Sequence, residues 1–183
     1  MTDMTIFTVG HSTHPIDEFL GLLQAHGVNK LIDVRTVPKS RHNPQFNEDS
    51  LAASVRASGI TYRRMASLGG LRRTSKDSPN GAWRNASFRG YADYMQTEEF
   101  AAAVGELLER GRSSDAAIMC AEAVPWRCHR SLIGDSLLVR NVAVLDIMTV
   151  ASAKPHTLTS FARVEGGRLW YPPSVTAGMP TTT

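Results

Sequence analysis

Short β-prone runs alternate along this chain with stretches whose apolar residues recur at helical spacing, and this alternation constrains the fold more than any other feature. Residues 6–9 form the first run and end at Gly10-His11-Ser12-Thr13. After Pro15, which can occupy the first position of a helix, Ile16, Phe19, Leu20 and Leu23 make one stripe at i, i+3, i+4 and i+7. Gly27 sits where a left-handed cap would end it. Residues 31–34 supply a second strand, Asn47 is placed to cap a helix carrying Leu51 and Val55, and 60–62 is a weaker third strand. Thr97, Glu98 and Glu99 open a helix through Phe100, Val104, Leu107 and Leu108. A buried strand follows at 116–120, then a helix beginning near Cys128 with Leu132, Ile133 and Leu137 inward, and a further strand at 142–145. Strands that alternate with helices build right-handed βαβ units, whose parallel sheet is covered on both faces. The expected fold is therefore α/β, a single three-layer domain over 1–172 with a mostly parallel sheet flanked by helices. Residues 173–183 are expected to form a disordered tail.

Size and composition agree with that expectation. A chain of 183 residues with 42% hydrophobic content can bury one sizeable core but is short for two. It has no apolar run near the length of about eighteen residues that a membrane helix needs, and no leader, so a cytoplasmic protein without membrane contact is expected. Cys120 and Cys128 are the only cysteines; their spacing is neither that of a redox C-x-x-C nor of a zinc site, and two reduced thiols are expected. No metal and no cofactor is predicted. The net charge is only +3, yet six arginines and one lysine lie between Arg63 and Arg89 against the single acid Asp77. Such clustering suits an anionic partner: phosphate, nucleotide or nucleic acid. The glycines, serines and turn residues of 63–90 predict an irregular, basic, lid-like segment.

In parallel sheets ligands bind at the carboxyl ends of the strands. Three segments are expected to share that rim: 10–13, 33–41 and 120–130. Within them Glu122, His11 and Cys128 are the candidate catalytic groups. Glu122, just past a buried strand, would gain basicity from partial burial, His11 could share its role, and a thiol near a helix N-terminus beside His129 and Arg130 sits in positive potential. Arg35, Lys39, Arg41, Arg72, Arg73, His129 and Arg130 are candidates for holding an anion, helped by the free N–H groups of the helix start. Asp33 is expected to hold loop N–H groups while Arg35 reaches the ligand, and Gly10, Ser12, Thr13, Gly69, Gly70 and Cys120 to support the site.

The combination Gly10-His11-Ser12-Thr13, Asp33-Val34-Arg35, Pro38-Lys39-Ser40, Leu68-Gly69-Gly70, Cys120-Ala121-Glu122 and Cys128-His129-Arg130 resembles the family called domain of unknown function 488; His156 and Tyr171 resemble its C-terminal part. The resemblance implies a single α/β domain and marks the motif residues as its site. The endings at Asp33-Val34-Arg35 and Cys120 are loosely similar to rhodanese-like sulfurtransferases, although the spacing from Cys120 to Arg127 is not theirs.

Three functions follow. The first is an enzyme acting on a phosphate-bearing substrate, with Arg35, Arg72, Arg73 and Arg130 on the anion and Glu122 or His11 moving protons. The second is thiol chemistry at Cys128, either sulfur transfer or redox sensing. The third is a non-catalytic nucleic-acid-binding module in which Trp83, Phe88, Tyr91 and Tyr94 interleave with Arg84 and Arg89.

Overall fold

A computed structural model describes residues 4–175. Its elements are β1 (Thr5–Gly10), α1 (Ile16–Ala25), β2 (Lys30–Asp33), α2 (Glu48–Ala57), β3 (Thr61–Arg64), α3 (Ala86–Tyr94), α4 (Glu98–Gly111), β4 (Ala116–Cys120), α5 (Arg130–Val139), β5 (Ala143–Thr149), β6 (Ser152–Pro155), β7 (Arg163–Glu165) and β8 (Arg168–Trp170). Six strands form one sheet in the order β3-β2-β4-β1-β5-β6, parallel except for β6, and β7 and β8 make a separate hairpin.

Side chains alternate along each strand, and here both faces are apolar. Ile6, Ile32, Ile118 and Val144 pack on one face with Tyr91, Phe100, Val104, Leu107, Leu132 and Ile133 of α3, α4 and α5. Val9, Leu31, Ala117 and Met119 pack on the other with Phe19, Leu23, Leu51 and Val55 of α1 and α2. Strands buried on both faces read as continuous apolar runs, which is why the sheet was legible as parallel. The helices end as their residues dictate: Gly27 takes φ +70° after α1, and Thr97 Oγ1 accepts from Phe100 N at 3.2 Å to start α4. Asn47 stands at the start of α2, but its side chain accepts from Ser40 N at 2.8 Å instead of capping the helix.

Two expectations change. Within the 63–90 segment, residues 63–64 complete β3 and a helix starts at Ala86, because Asn85 Oδ1 accepts from Ser87 N and Phe88 N. The irregular part between them is tied to α3: Ser75 N, Ser78 Oγ and Asn80 Nδ2 all donate to Asp93 at 2.7, 2.5 and 2.8 Å. Asn80 is buried and accepts from Tyr171 N at 2.9 Å, so the middle of the strap is bonded to α3 on one side and to Tyr171 on the other. The expected tail lies, from residue 176 on, outside the described residues. Among those described, no helix is long and apolar enough to cross a membrane.

A buried polar cluster fastens the last strands to the core. His156 lies between two carboxylates, Nδ1 at 2.9 Å from Asp146 and Nε2 at 3.0 Å from Asp135; Asp135 also accepts from Tyr171 OH and Thr159 N, and Asp146 from Thr8 Oγ1. Burial alone would lower the His156 pKa, but the hydrogen bonds to Asp135 and Asp146 outweigh it and raise it from its ordinary value to about 9. A raised pKa contributes stability that is fully present below the unfolded value of about 6.5 and is lost as pH climbs through the folded one, about 3 kcal/mol in all. Urea unfolding should therefore show the protein losing roughly that much stability between about pH 6 and pH 10, and the loss should be absent in His156→Gln.

Candidate functional site

Because β1, β2 and β4 are parallel neighbours, their carboxyl ends deliver three loops to one place. Backbone bonds join them: His11 N donates to Cys120 O at 3.0 Å, Ser12 N to Ala121 O at 2.9 Å, and Val34 N to Met119 O at 3.0 Å. The loops surround a cleft of about 490 Å³ whose lining includes His11, Arg35, Lys39, Gly70, Cys120, Glu122, Arg127, Cys128 and His129.

Cys120 closes β4 and Cys128 follows a 3-10 turn at Pro125–Arg127. The Cys120 and Cys128 sulfurs, expected as two reduced thiols, meet across the 121–127 loop. Each sulfur has a basic neighbour. Arg130 Nη1 donates to Cys120 Sγ at 2.8 Å, and Cys128 Sγ lies 3.5 Å from His129 Nδ1. His129 Nε2 is 3.0 Å from Val34 O. A carbonyl only accepts, so Nε2 carries the ring hydrogen and Nδ1 presents its lone pair to Cys128.

His129 is neutral at ordinary pH. Burial lowers its pKa to about 4, with Arg130 and Arg72 adding to the effect against its backbone hydrogen bonds. This corrects its expected role as a cationic anion holder. Gly70 lets the ring approach, since a Cβ there would come within 2.6 Å of Nδ1; a Cβ on Gly69 would stand equally close to Thr36 Oγ1.

Arg130 is also corrected. It is fully buried, and its Nη1 and Nη2 hold the Glu122 and Ala123 carbonyls at 2.5 and 3.2 Å, so it shapes the loop and does not face an anion. Desolvation pulls its pKa down to about 10, which leaves it charged at neutral pH. The expected free N–H groups of the helix start are largely taken, because Ser131 N donates to Cys128 O and both Leu132 N and Ile133 N donate to His129 O.

His11 and Arg35 belong to a second buried arrangement. Arg35 pairs two-pronged with Asp33, Nε to Oδ1 at 2.9 Å and Nη2 to Oδ2 at 2.7 Å, while Nη1 reaches Phe46 O at 2.8 Å. Asp33 does hold the Arg35 N–H, and also Tyr62 OH at 2.6 Å, but the guanidinium expected to reach a ligand is already neutralised. His11 stacks on Phe46, centroids 4.1 Å apart, with Nδ1 on Ser12 O at 2.8 Å and Nε2 at 3.4 Å from Arg35 Nη1. Burial drops its pKa to about 4, with Arg35 pushing the same way. The lone pair on Nε2 faces a donor, so His11 positions Arg35 and is a poor proton carrier. Glu122 lines the cleft but is exposed, which removes the burial that was to tune it.

The remaining candidates divide. Lys39 is exposed on the cleft, whereas Arg41 and Arg73 are exposed outside its lining. Arg72 is spent elsewhere, with Nε on Gly69 O, Nη2 on Ser67 O and its guanidinium 3.6 Å over the Tyr94 ring. Arg64 and Arg89 likewise hold backbone carbonyls, so half the arginine cluster is structural. Ser12, at φ 47°, and exposed Thr13 shape the first loop without lining the cleft. Sequence reasoning missed Arg127 and Thr36, which do line it, and the Asn85 cap that brings Ser87 and Phe88 to its edge. Arg127 had a signal, its place inside the Cys-to-Cys loop. Among the described residues no cluster of His, Cys, Asp and Glu is arranged to hold a metal ion.

Compared with known proteins, the chain matches the model of the family described as domain of unknown function DUF488 over residues 15–137. No curated protein and no solved structure matches it.

Proposed function

The chain belongs to the DUF488 family of domains of unknown function, and from that premise we propose that its cleft carries out thiol–disulfide chemistry on a small anionic disulfide. The observation that carries the reading is the meeting of the Cys120 and Cys128 sulfurs in the cleft, one beside Arg130 Nη1 and the other beside His129 Nδ1. In the reduced protein the neutral His129, its Nδ1 3.5 Å from Cys128 Sγ, accepts the S–H hydrogen bond and takes the proton as the sulfur attacks. Cys128 attacks one sulfur of the substrate R–S–S–R, forming Cys128–S–S–R and releasing R–S⁻. Cys120, its thiolate stabilised by the Arg130 guanidinium, then attacks the Cys128 sulfur and expels the second R–S⁻. Two electrons pass from the cysteine pair to the substrate, and the protein is left as the disulfide. Lys39 and Arg127 on the rim attract the substrate's carboxylates.

An anionic aromatic disulfide, dithiobis(nitrobenzoate), tests each step with the pre-reduced protein. Wild type should release two thionitrobenzoate ions and end as the internal disulfide, with no added mass. Cys120→Ser should release one and keep the other as a stable adduct. At about pH 6 Cys128 should react at least about tenfold faster than an ordinary thiol of pKa near 8.5. Wild type ending with an adduct on each cysteine, or reacting at the ordinary rate, would sink the proposal.

A second reading is favoured by Lys39 and Arg127 themselves, which line the cleft and take part in none of the salt bridges of the described residues. It is an enzyme acting on a phosphate-bearing substrate, with Glu122 moving the proton. That reading requires turnover to survive in Cys120→Ser and to vanish in Glu122→Gln.

A further inference from the structure

Behind the same 3-10 turn lies a second cleft, of about 480 Å³, that no step above uses. Arg127 and Cys128 face the first cleft, whereas Pro125 and Trp126 face the second. We propose that this second cleft binds a planar heteroaromatic ring that carries an amino group and an anionic substituent, the chemistry of a purine nucleoside monophosphate.

Four features specify that ligand. Trp126 lies on the cleft with 65% of its surface exposed and makes no ring contact among the described residues, although Trp83 and Phe161, which line the same cleft, pack against each other at 4.8 Å. A bare indole at the mouth of a cleft offers a flat apolar face, and every nucleobase has a face to stack on it. Trp83, which lines the cleft, has its Nε1–H without an acceptor among the described residues. Asp146 contributes a carboxylate whose hydrogen bonds come from Thr8 and His156, which leaves lone pairs for an exocyclic amine. Lys154, exposed on the cleft and in none of the salt bridges of the described residues, supplies the counter-charge for a phosphate. An aliphatic anion would leave the indole and the carboxylate idle.

The two clefts share a cation. Arg130 lies buried where its charge feels Asp146 of the second cleft and Glu122 of the first, and the same guanidinium touches Cys120 Sγ.

Titration calorimetry with adenosine monophosphate tests the site on the whole protein. Wild type should give saturable binding, Trp126→Phe should retain it, and Trp126→Ala, a change at an exposed position, should weaken it by about tenfold or more. Lys154→Gln should weaken it less, and ribose 5-phosphate, which lacks the base, should bind far more weakly than the nucleotide. No saturable heat with wild type, equal binding of ribose 5-phosphate, or binding that survives Trp126→Ala but is lost in Arg127→Gln would overturn the proposal. The last outcome places the nucleotide in the first cleft. The result is independent of the disulfide assay, in which neither Trp126 nor Lys154 has a part.

Discussion

Gly10→Ala is expected to lower stability by about 3 kcal/mol, among the largest effects a single methyl can have. A Cβ at this position would overlap the Glu122 carbonyl oxygen and fall 2.7 Å from Arg130 Nη1. Neither neighbour can retreat cheaply. The Glu122 carbonyl is held by Arg130, and the strands flanking it are locked by the β1–β4 pairing of Gly10 with Cys120. The loop would have to move as a unit, taking with it the Ala121 carbonyl that accepts Ser12 N. Urea unfolding measures the loss, and Gly105→Ala is the matched control. That glycine sits inside α4 with nothing within 4 Å of the added methyl, so the substitution should stabilise by about 0.5–1 kcal/mol. A Gly10→Ala protein as stable as wild type would show that the loop yields freely, against the tight closure of Gly10 on the Glu122 carbonyl.

Arg130→Met should cost a comparable amount, about 3 kcal/mol, for a different reason. The methionine fills much of the volume but leaves the carbonyls of Glu122 and Ala123 without their donors. Arg130→Lys should not restore it, since one ammonium cannot reproduce a planar fork that serves a sulfur and two carbonyls. Unfolding under reducing conditions separates this loss from that of the disulfide. In the thiol assay the same substitution should slow the second release of thionitrobenzoate more than the first, because it removes the cation beside Cys120 and leaves the Cys128–His129 contact in place.

The α/β class and strands β1, β2 and β4 were legible because burial on both faces writes itself into the sequence as short apolar runs, whereas β3, exposed or half-buried throughout, and β5, exposed at its ends, were read from their β-prone residues. The last strands were not. Residues 152–155 and the hairpin at 163–170 are short and largely exposed, with no alternation to betray them. Within the cleft, proximity could be read but allegiance could not. Arg35, Arg72 and Arg130 look in sequence like free cations near a ligand, and each is committed: Arg35 to the carboxylate of Asp33 two residues before it, Arg72 to the Tyr94 ring and Arg130 to the Glu122 carbonyl. Lys39, with no such commitment, was placed by the same reasoning and does line the cleft. The pairing of Cys120 with Cys128 escaped because a strand end and a turn bring them together across seven residues of loop, a closure that no local spacing rule describes.

The register of the sheet also bears on how the chain must be made. β1 lies between β4 and β5, and β5 begins at Ala143, beyond the stretch of 15–137 that carries the family match. A growing polypeptide that has reached the end of α5 can complete β3-β2-β4-β1, but one side of β1 still presents open amides and carbonyls, a template for pairing with any other strand. The same truncated chain holds Asp135 in its core with neither His156 nor Tyr171 yet synthesised to satisfy it. Folding of this protein is thus completed from its C-terminal side, and a fragment trimmed to the matched stretch, which omits β1 as well as β5, would leave β4 as the bare edge of a half-finished sheet.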